Sequence, residues 1–261
     1  MPQGLNGKVA LITGAAQGIG LGIATRLAQE GVHLALVDRS AEKLIQAQQQ
    51  LSHYAVNLTH YVADVSDLTQ IQQAIDHAEA CLGGFDIMMN NAGIAQVQAI
   101  DEVTPEEFRQ IVDVNISGVL WGIQAAAKKF KQRGQKGKII NAASIAAHEG
   151  FAMLGVYSAT KFAVRALTQA AAKEYAAYGI NVNAYCPGVV GTQMWEEIDR
   201  RFAQTTGAAL GETYAKYVAG IALGRGETPA DVAGFVAFLA SEDADYMTGQ
   251  AVMIDGGMVY R

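Results

Sequence analysis

Cysteine is almost missing from this sequence of 261 residues: Cys81 and Cys186 are the only two. They stand far apart and match no zinc or redox spacing, which excludes a disulfide framework and a cysteine-built metal site. Both read as reduced thiols, with Cys186 buried beside a functional turn. No other ligand spacing points to a metal. Long apolar runs are also missing, and none approaches the ~20 residues of a membrane span. The first apolar run, Val9–Ile12, is too short for a signal peptide, so the expected location is cytoplasmic. Positive charge is in deficit, with 19 Lys and Arg against 25 Asp and Glu for a net charge of −6. Nucleic acid and anionic membrane therefore drop out as expected partners. Repeats, linkers and low-complexity tracts are absent too. With 51% hydrophobic and 17% charged residues, the composition suits one compact domain of buried strands and helices.

What is present begins with a short apolar run, Lys8–Thr13, that stops at Gly14 and reads as a buried parallel strand. Thr13-Gly14-Ala-Ala-Gln17-Gly18-Ile19-Gly20 follows, then an amphipathic segment to about Gln29. Strand, glycine-rich turn and helix are the setting of a dinucleotide site. Gly14 permits the tight turn, Gly18 lets backbone approach a pyrophosphate, and Gly20 allows close helix–strand packing. The helix start presents free N–H groups to the phosphates. The glycines are spaced 4 and 2, not in the common GxGxxG. A second strand, His33–Val37, ends at Asp38, about 20 residues past the turn, where a carboxylate accepts from ribose hydroxyls and repels a 2′-phosphate. Arg39 argues the other way. Ala15, Ala16 and Gln17 add no positive charge, so the balance favours NAD over NADP.

Further strands are expected at Leu58–Val62, Phe85–Met89, Lys138–Ala143, Ile180–Tyr185 and Ala251–Ile254. Asp64-Val65 follows the third of the seven, in position for an adenine ring. Asn90-Asn91-Ala92-Gly93 follows the fourth, as a turn suited to a nicotinamide ribose or simply to a strand-to-loop transition. Helices are expected over 41–51, 68–81, 105–131, 157–178 and 228–239. The 105–131 helix is capped by Thr104 with Pro105 and Glu107, and carries Asn115. Between 193 and 225 the alternation pauses, and Met194, Trp195, Tyr214 and Tyr217 stand among charges and glycines. An aromatic insertion at about 190–225, at the end of the sheet where ligands bind, reads as a substrate lid.

Tyr157 and Lys161 are four apart in a helical segment and leave one face of it. A free phenol titrates near ~10. A neighbouring ammonium favours the phenolate and is expected to lower that value toward neutral pH, making an acid–base device. Ser144, at the carboxyl end of the fifth strand, would polarise the same oxygen. Two residues at helical spacing do not by themselves distinguish this from a surface pair. His148 reads as a packing or surface residue, or as a border of the pocket.

Jointly these residues resemble the short-chain dehydrogenases/reductases over essentially the whole chain. The carriers are Thr-Gly-x-x-x-Gly-x-Gly at 13–20, Asn-Asn-Ala-Gly at 90–93, and Ser144 ahead of Tyr-x-x-x-Lys at 157–161. Pro187-Gly188 and Thr192 complete the pattern. The resemblance implies a single-domain α/β Rossmann fold, a seven-stranded parallel sheet with helices on both faces, assembled as a homotetramer. It implies a catalytic tetrad of Asn115, Ser144, Tyr157 and Lys161. NAD would be held by Gly14, Gln17, Gly18, Ile19, Gly20, Asp38 and Arg39, then Asp64, Val65, Asn91, Ala92 and Gly93. Tyr157, Lys161, Pro187, Gly188, Val190 and Thr192 complete the cofactor set, and Ser144, Ile145, Phe151, Tyr157 and Trp195 would bound the substrate.

Segments at 83–86, 121–126, 137–142, 161–165, 194–199 and 246–250 resemble the bacterial diacetyl/acetoin reductases, or 2,3-butanediol dehydrogenases. The implied activity is reversible NADH-dependent reduction of a small ketone to a secondary alcohol. An NAD-dependent polyol or other secondary-alcohol dehydrogenase is a second reading. A dinucleotide-binding regulator without turnover is a third, and the intact Ser144, Tyr157 and Lys161 set argues against it.

Overall fold

A computed structural model describes residues 2–260. Seven strands form one sheet: β1 (Val9–Thr13), β2 (His33–Asp38), β3 (Leu58–Val62), β4 (Ile87–Asn90), β5 (Gly137–Ala142), β6 (Ile180–Pro187) and β7 (Ala251–Ile254). Their order is β3-β2-β1-β4-β5-β6-β7, and every pairing is parallel. The seven strands stand where the sequence places them, within two residues at each end. The order reverses between β1 and β4, and ligands of such sheets bind outside the carboxyl ends of the strands at that reversal.

Alternate residues of one strand serve two cores, because successive side chains point to opposite faces. Ala10 and Ile12 pack with α1 (Gly18–Gln29), α2 (Ala41–Leu51) and α9 (Pro229–Ala240), through Ile23, Leu44 and Val236. Leu11 faces the other layer, where α3 (Leu68–Leu82), α5 (Gly118–Arg133) and α6 (Gly155–Tyr175) supply Ile75, Ile123 and Val164. With both faces covered, the central strands are buried along their length, as β1 is at all five positions. That explains their continuous apolar runs.

The helix expected over 105–131 is three pieces. α4 (Pro105–Val112) opens with the Thr104–Glu107 capping box. A π-helical turn covers Asp113–Ser117 before α5 begins. A wider turn inserts where a side chain needs re-aiming, and the buried residue in this one is Asn115. The 193–225 insertion folds as α7 (Gln193–Thr206) and α8 (Glu212–Ala219). Asp199 of α7 ties the pair together by accepting from Gly211 N at 2.5 Å and Tyr214 N at 2.9 Å.

Candidate active site

The carboxyl ends of β1 and β4 are stitched together by side chains. Thr13 Oγ1 donates to Met89 O and accepts from the N–H groups of Asn91 and Ala92 at 3.1 Å each. Asn91 Nδ2 donates to Thr13 O and Gly14 O, while its Oδ1 accepts from Tyr185 Oη at 2.8 Å. The Asn91 side chain thus holds the turn, and the backbone after it faces open space. Gly14 and Gly18 have φ of +64° and +56°, the left-handed region that glycine enters freely. A Cβ on Gly20 would stand 2.1 Å from Gly14 O, so only glycine lets α1 start this close to the turn.

These elements bound a cavity of about 290 Å³. Gly14, Gln17, Gly18, Ile19 and Gly20 form one wall, and Asp38 and Arg39 one end. Asp64, Val65, Asn91, Ala92, Gly93 and Thr192 complete the lining, with Thr192 Cγ2 3.5 Å from where a Cβ on Gly18 would lie. Asp38 Oδ2 accepts from Ala16 N at 3.4 Å and its Oδ1 from Ser40 N at 3.2 Å, which fixes the carboxylate at the turn. Lys43 of α2, not singled out from the sequence, donates to Gln17 Oε1 at 2.6 Å. The glycine turn therefore does carry a neighbouring cation, contributed from the next helix.

A second, smaller cavity of about 80 Å³ adjoins the first, and Ile19, Thr192 and Met194 border both. Ser144, Ile145, Phe151, Tyr157 and Trp195 line it, as do Pro187, Gly188 and Val190. Met194 and Tyr217 also line it, beyond the substrate residues expected from the sequence. Tyr214 and Tyr217, both read from the sequence as part of the lid, are three apart on α8 and share one helical face. Trp195 meets both, with ring centroids 5.9 and 5.3 Å away. Met153 has φ of +65° in the loop that carries Phe151, and its carbonyl accepts from Gln98 N at 2.8 Å. That strained backbone is held by the 94–99 segment.

Asn115 and Lys161 border neither cavity and lie beneath them, buried. Asn115 pairs with the backbone of Ile94, accepting from its N–H and donating to its carbonyl at 2.9 Å each, and donates to Thr160 Oγ1. Lys161 Nζ donates to Ala142 O at 2.9 Å and stands 5.5 Å from the centre of the Tyr157 ring. Ser144 and Tyr157 both line the smaller cavity, and the Ser144 hydroxyl acts on the phenol to lower its proton affinity.

The acid–base balance differs from the sequence expectation. Burial pushes the Tyr157 phenol up to about 12, more than the Ser144 hydroxyl draws it down. Burial likewise pulls the Lys161 ammonium down to about 8. Desolvation disfavours the charged form of each, and here it outweighs the expected lowering of Tyr157 by Lys161. The phenol is thus fully protonated at neutral pH. His148 does not border the pocket: Arg165 reaches its Nδ1 at 3.2 Å and its Nε2 lies 3.5 Å from Cys186 Sγ. Burial pushes the Cys186 thiol up to about 12, so it is no nucleophile. Among the described residues no group of three or more His, Cys, Asp or Glu could hold a metal ion, and no helix is long and apolar enough to cross a membrane.

Residues 8–202 match the family model described as short chain dehydrogenase. L-2,3-butanediol dehydrogenase of Corynebacterium glutamicum is 52% identical, over 97% of this chain and 99% of that one. A diacetyl reductase [(S)-acetoin forming] of Staphylococcus epidermidis is 45% identical over the same shares. Among solved structures, a variant of actinorhodin polyketide ketoreductase with NADPH superposes with a TM-score of 0.91 at 32% identity, over 96% of this chain and 97% of that one.

Proposed function

Since the chain belongs to the short-chain dehydrogenase family and is an oxidoreductase acting on CH–OH groups, we propose that it reduces diacetyl and acetoin reversibly to 2,3-butanediol with NADH. The observation that carries this reading is the 80 Å³ cavity. It is small and walled by apolar and aromatic side chains, with the Ser144 and Tyr157 hydroxyls as its acid–base pair. A four-carbon diketone matches that volume and polarity. A sugar alcohol carries a hydroxyl on most carbons and would leave several unpaired against Ile145, Phe151 and Trp195. The two relatives named for butanediol and diacetyl favour the same class.

The larger cavity suits a nicotinamide dinucleotide. Its glycine turn packs so tightly on the turn after β4 that a Cβ on Gly14 would come within 2.9 Å of Ala92 Cα, and the start of α1 lines the cavity with its free N–H groups. When bound, that group supplies the hydride. The chain's own residues do the rest. Ser144 and Tyr157 hydrogen-bond the ketone oxygen, and Tyr157 donates its proton as alkoxide charge develops. Lys161, whose Nζ lies 3.5 Å from where a Cβ on Gly93 would stand, would hold the ribose of the dinucleotide when that group is bound. Asn115 holds the Ile94 segment. α7 and α8 act as the lid that excludes water.

Asp38 favours NAD, while Arg39 and Lys43 leave a cationic edge open to a 2′-phosphate. Steady-state reduction of diacetyl with each cofactor tests substrate and cofactor together. The expected kcat/KM is at least about tenfold higher with NADH, the effect of ~1.4 kcal/mol; equal efficiency with NADPH overturns the Asp38 reading. A homotetramer, from the resemblance to the family, and a cytoplasmic location, from the short first apolar run, complete the proposal.

A further inference from the structure

Glu227 is buried, 8% exposed, and stands where the chain returns from α8 to the sheet. Its Oε2 accepts from Gly188 N at 2.8 Å, and Gly188 N also lies 3.2 Å from Ile254 O. Its Oε1 is buried and has no hydrogen-bond partner. Its backbone pairs with the outgoing stem of the same insertion: Glu227 N donates to Val189 O at 2.8 Å and Gly191 N donates to Glu227 O at 2.9 Å. Tyr214 Oη packs against both stems, 3.3 and 2.4 Å from where a Cβ on Gly191 or Gly226 would lie.

An unpaired carboxylate is an expensive group to bury for structure alone. The cation that acts on Glu227, Arg225, is already engaged in a bidentate pair with Asp231 at 2.7 and 2.8 Å. The other charges facing Glu227 are carboxylates, Asp231 from α9 and Asp255 beyond β7. What the group does hold is the N–H of Gly188, in the segment that walls the small cavity and, through Thr192, the large one.

The geometry points to Glu227 as a positioning residue whose carboxylate fixes the Pro187–Thr192 segment, so that loss of its charge loosens that wall and weakens dinucleotide binding. The inference rests on the dinucleotide reading of the larger cavity. Burial, with the neighbouring Asp231 and Asp255 charges, pushes the Glu227 carboxyl up to about 7, against the opposing pull of Gly188 N–H and Arg225. Glu227 is therefore neutral below that pH and charged above it, which places the loosening on the acid side.

Fluorescence titration of NADH, without ketone, tests this at about pH 6 and about pH 8 on the wild type, Glu227→Gln and Glu227→Asp. The wild type is expected to bind about tenfold more weakly at the lower pH, a change of ~1.4 kcal/mol. Glu227→Gln should show the weaker value at both, and Glu227→Asp should retain the pH dependence. Equal wild-type affinity at both pH values, matched by Glu227→Gln, overturns the inference while the dinucleotide site stands. Should Glu227→Gln not fold, the sign of the wild-type change decides: the Lys161 ammonium, lowered to about 8, would favour binding at the lower pH, so weaker binding there supports Glu227 and stronger binding there overturns it. Failure of the wild type to bind NADH at either pH removes the dinucleotide reading, and the role of Glu227 with it.

Discussion

Tyr157 and Lys161 leave one face of α6, and burial separates their proton affinities in the direction opposite to simple ion pairing. With the phenol near 12 and the ammonium near 8, the phenol is the proton carrier of the proposed reduction and the lysine carries the cost of a buried charge. The displacement of Lys161 from 10.5 to about 8 corresponds to about 3 kcal/mol. Lys161→Met is therefore expected to unfold at higher temperature than the wild type at neutral pH while losing turnover. Between pH 8 and 10.5 the unfolded chain keeps the lysine proton that the folded chain has released, so wild-type stability rises with pH and the gap closes. Thermal melts across that range check both signs. Tyr157→Phe should lose about 10²–10⁴-fold in kcat, the span of a lost general acid, while NADH fluorescence still reports binding. Ser144, Tyr157 and Lys161 were singled out through the resemblance to the family, since the spacing of Tyr157 and Lys161 alone fits a surface pair as well. The direction of the pKa shifts was not legible, because it depends on burial and not on residue order.

Helices and strands show where local pattern reaches and where it stops. The apolar runs of β1 to β7 and the Thr104–Glu107 box declare themselves, since each is set by residues adjacent in sequence. The π turn at Asp113–Ser117 does not, because an amphipathic pattern continues through it while the reason for it, the pairing of Asn115 with Ile94, lies 21 residues away. The α7–α8 insertion was recognisable from its aromatics, and Trp195, expected at the substrate, does line the pocket, whereas Tyr217 lines it without having been expected there. Its Trp195–Tyr217 contact, with centroids 5.3 Å apart, closes the small cavity. Trp195→Ala should enlarge that cavity, lower kcat/KM for diacetyl about tenfold or more, and raise the relative rate of longer ketones. Competition assays between diacetyl and a longer aliphatic diketone would show this, and an unchanged ratio would remove Trp195 from specificity.

At the scale of the molecule, one twisted sheet brings side chains from distant parts of the sequence to one edge. Its order reverses between β1 and β4, and the two cavities meet at Ile19, Thr192 and Met194. Contributions such as Lys43 beside Gln17 and Glu227 beneath Gly188 are created by that assembly and leave no motif behind. Light scattering on the purified protein should give four times the 27.6 kDa chain mass if the family's tetramer holds; a monomeric mass would exclude it. The decisive comparison is NADH oxidation at neutral pH with diacetyl against a ketohexose. A pocket of this size and apolarity should turn over diacetyl with kcat/KM at least about 10²-fold higher, the penalty of burying unpaired hydroxyls. Preference for the ketohexose would mean that the small cavity had been misread and that the chain is a polyol dehydrogenase.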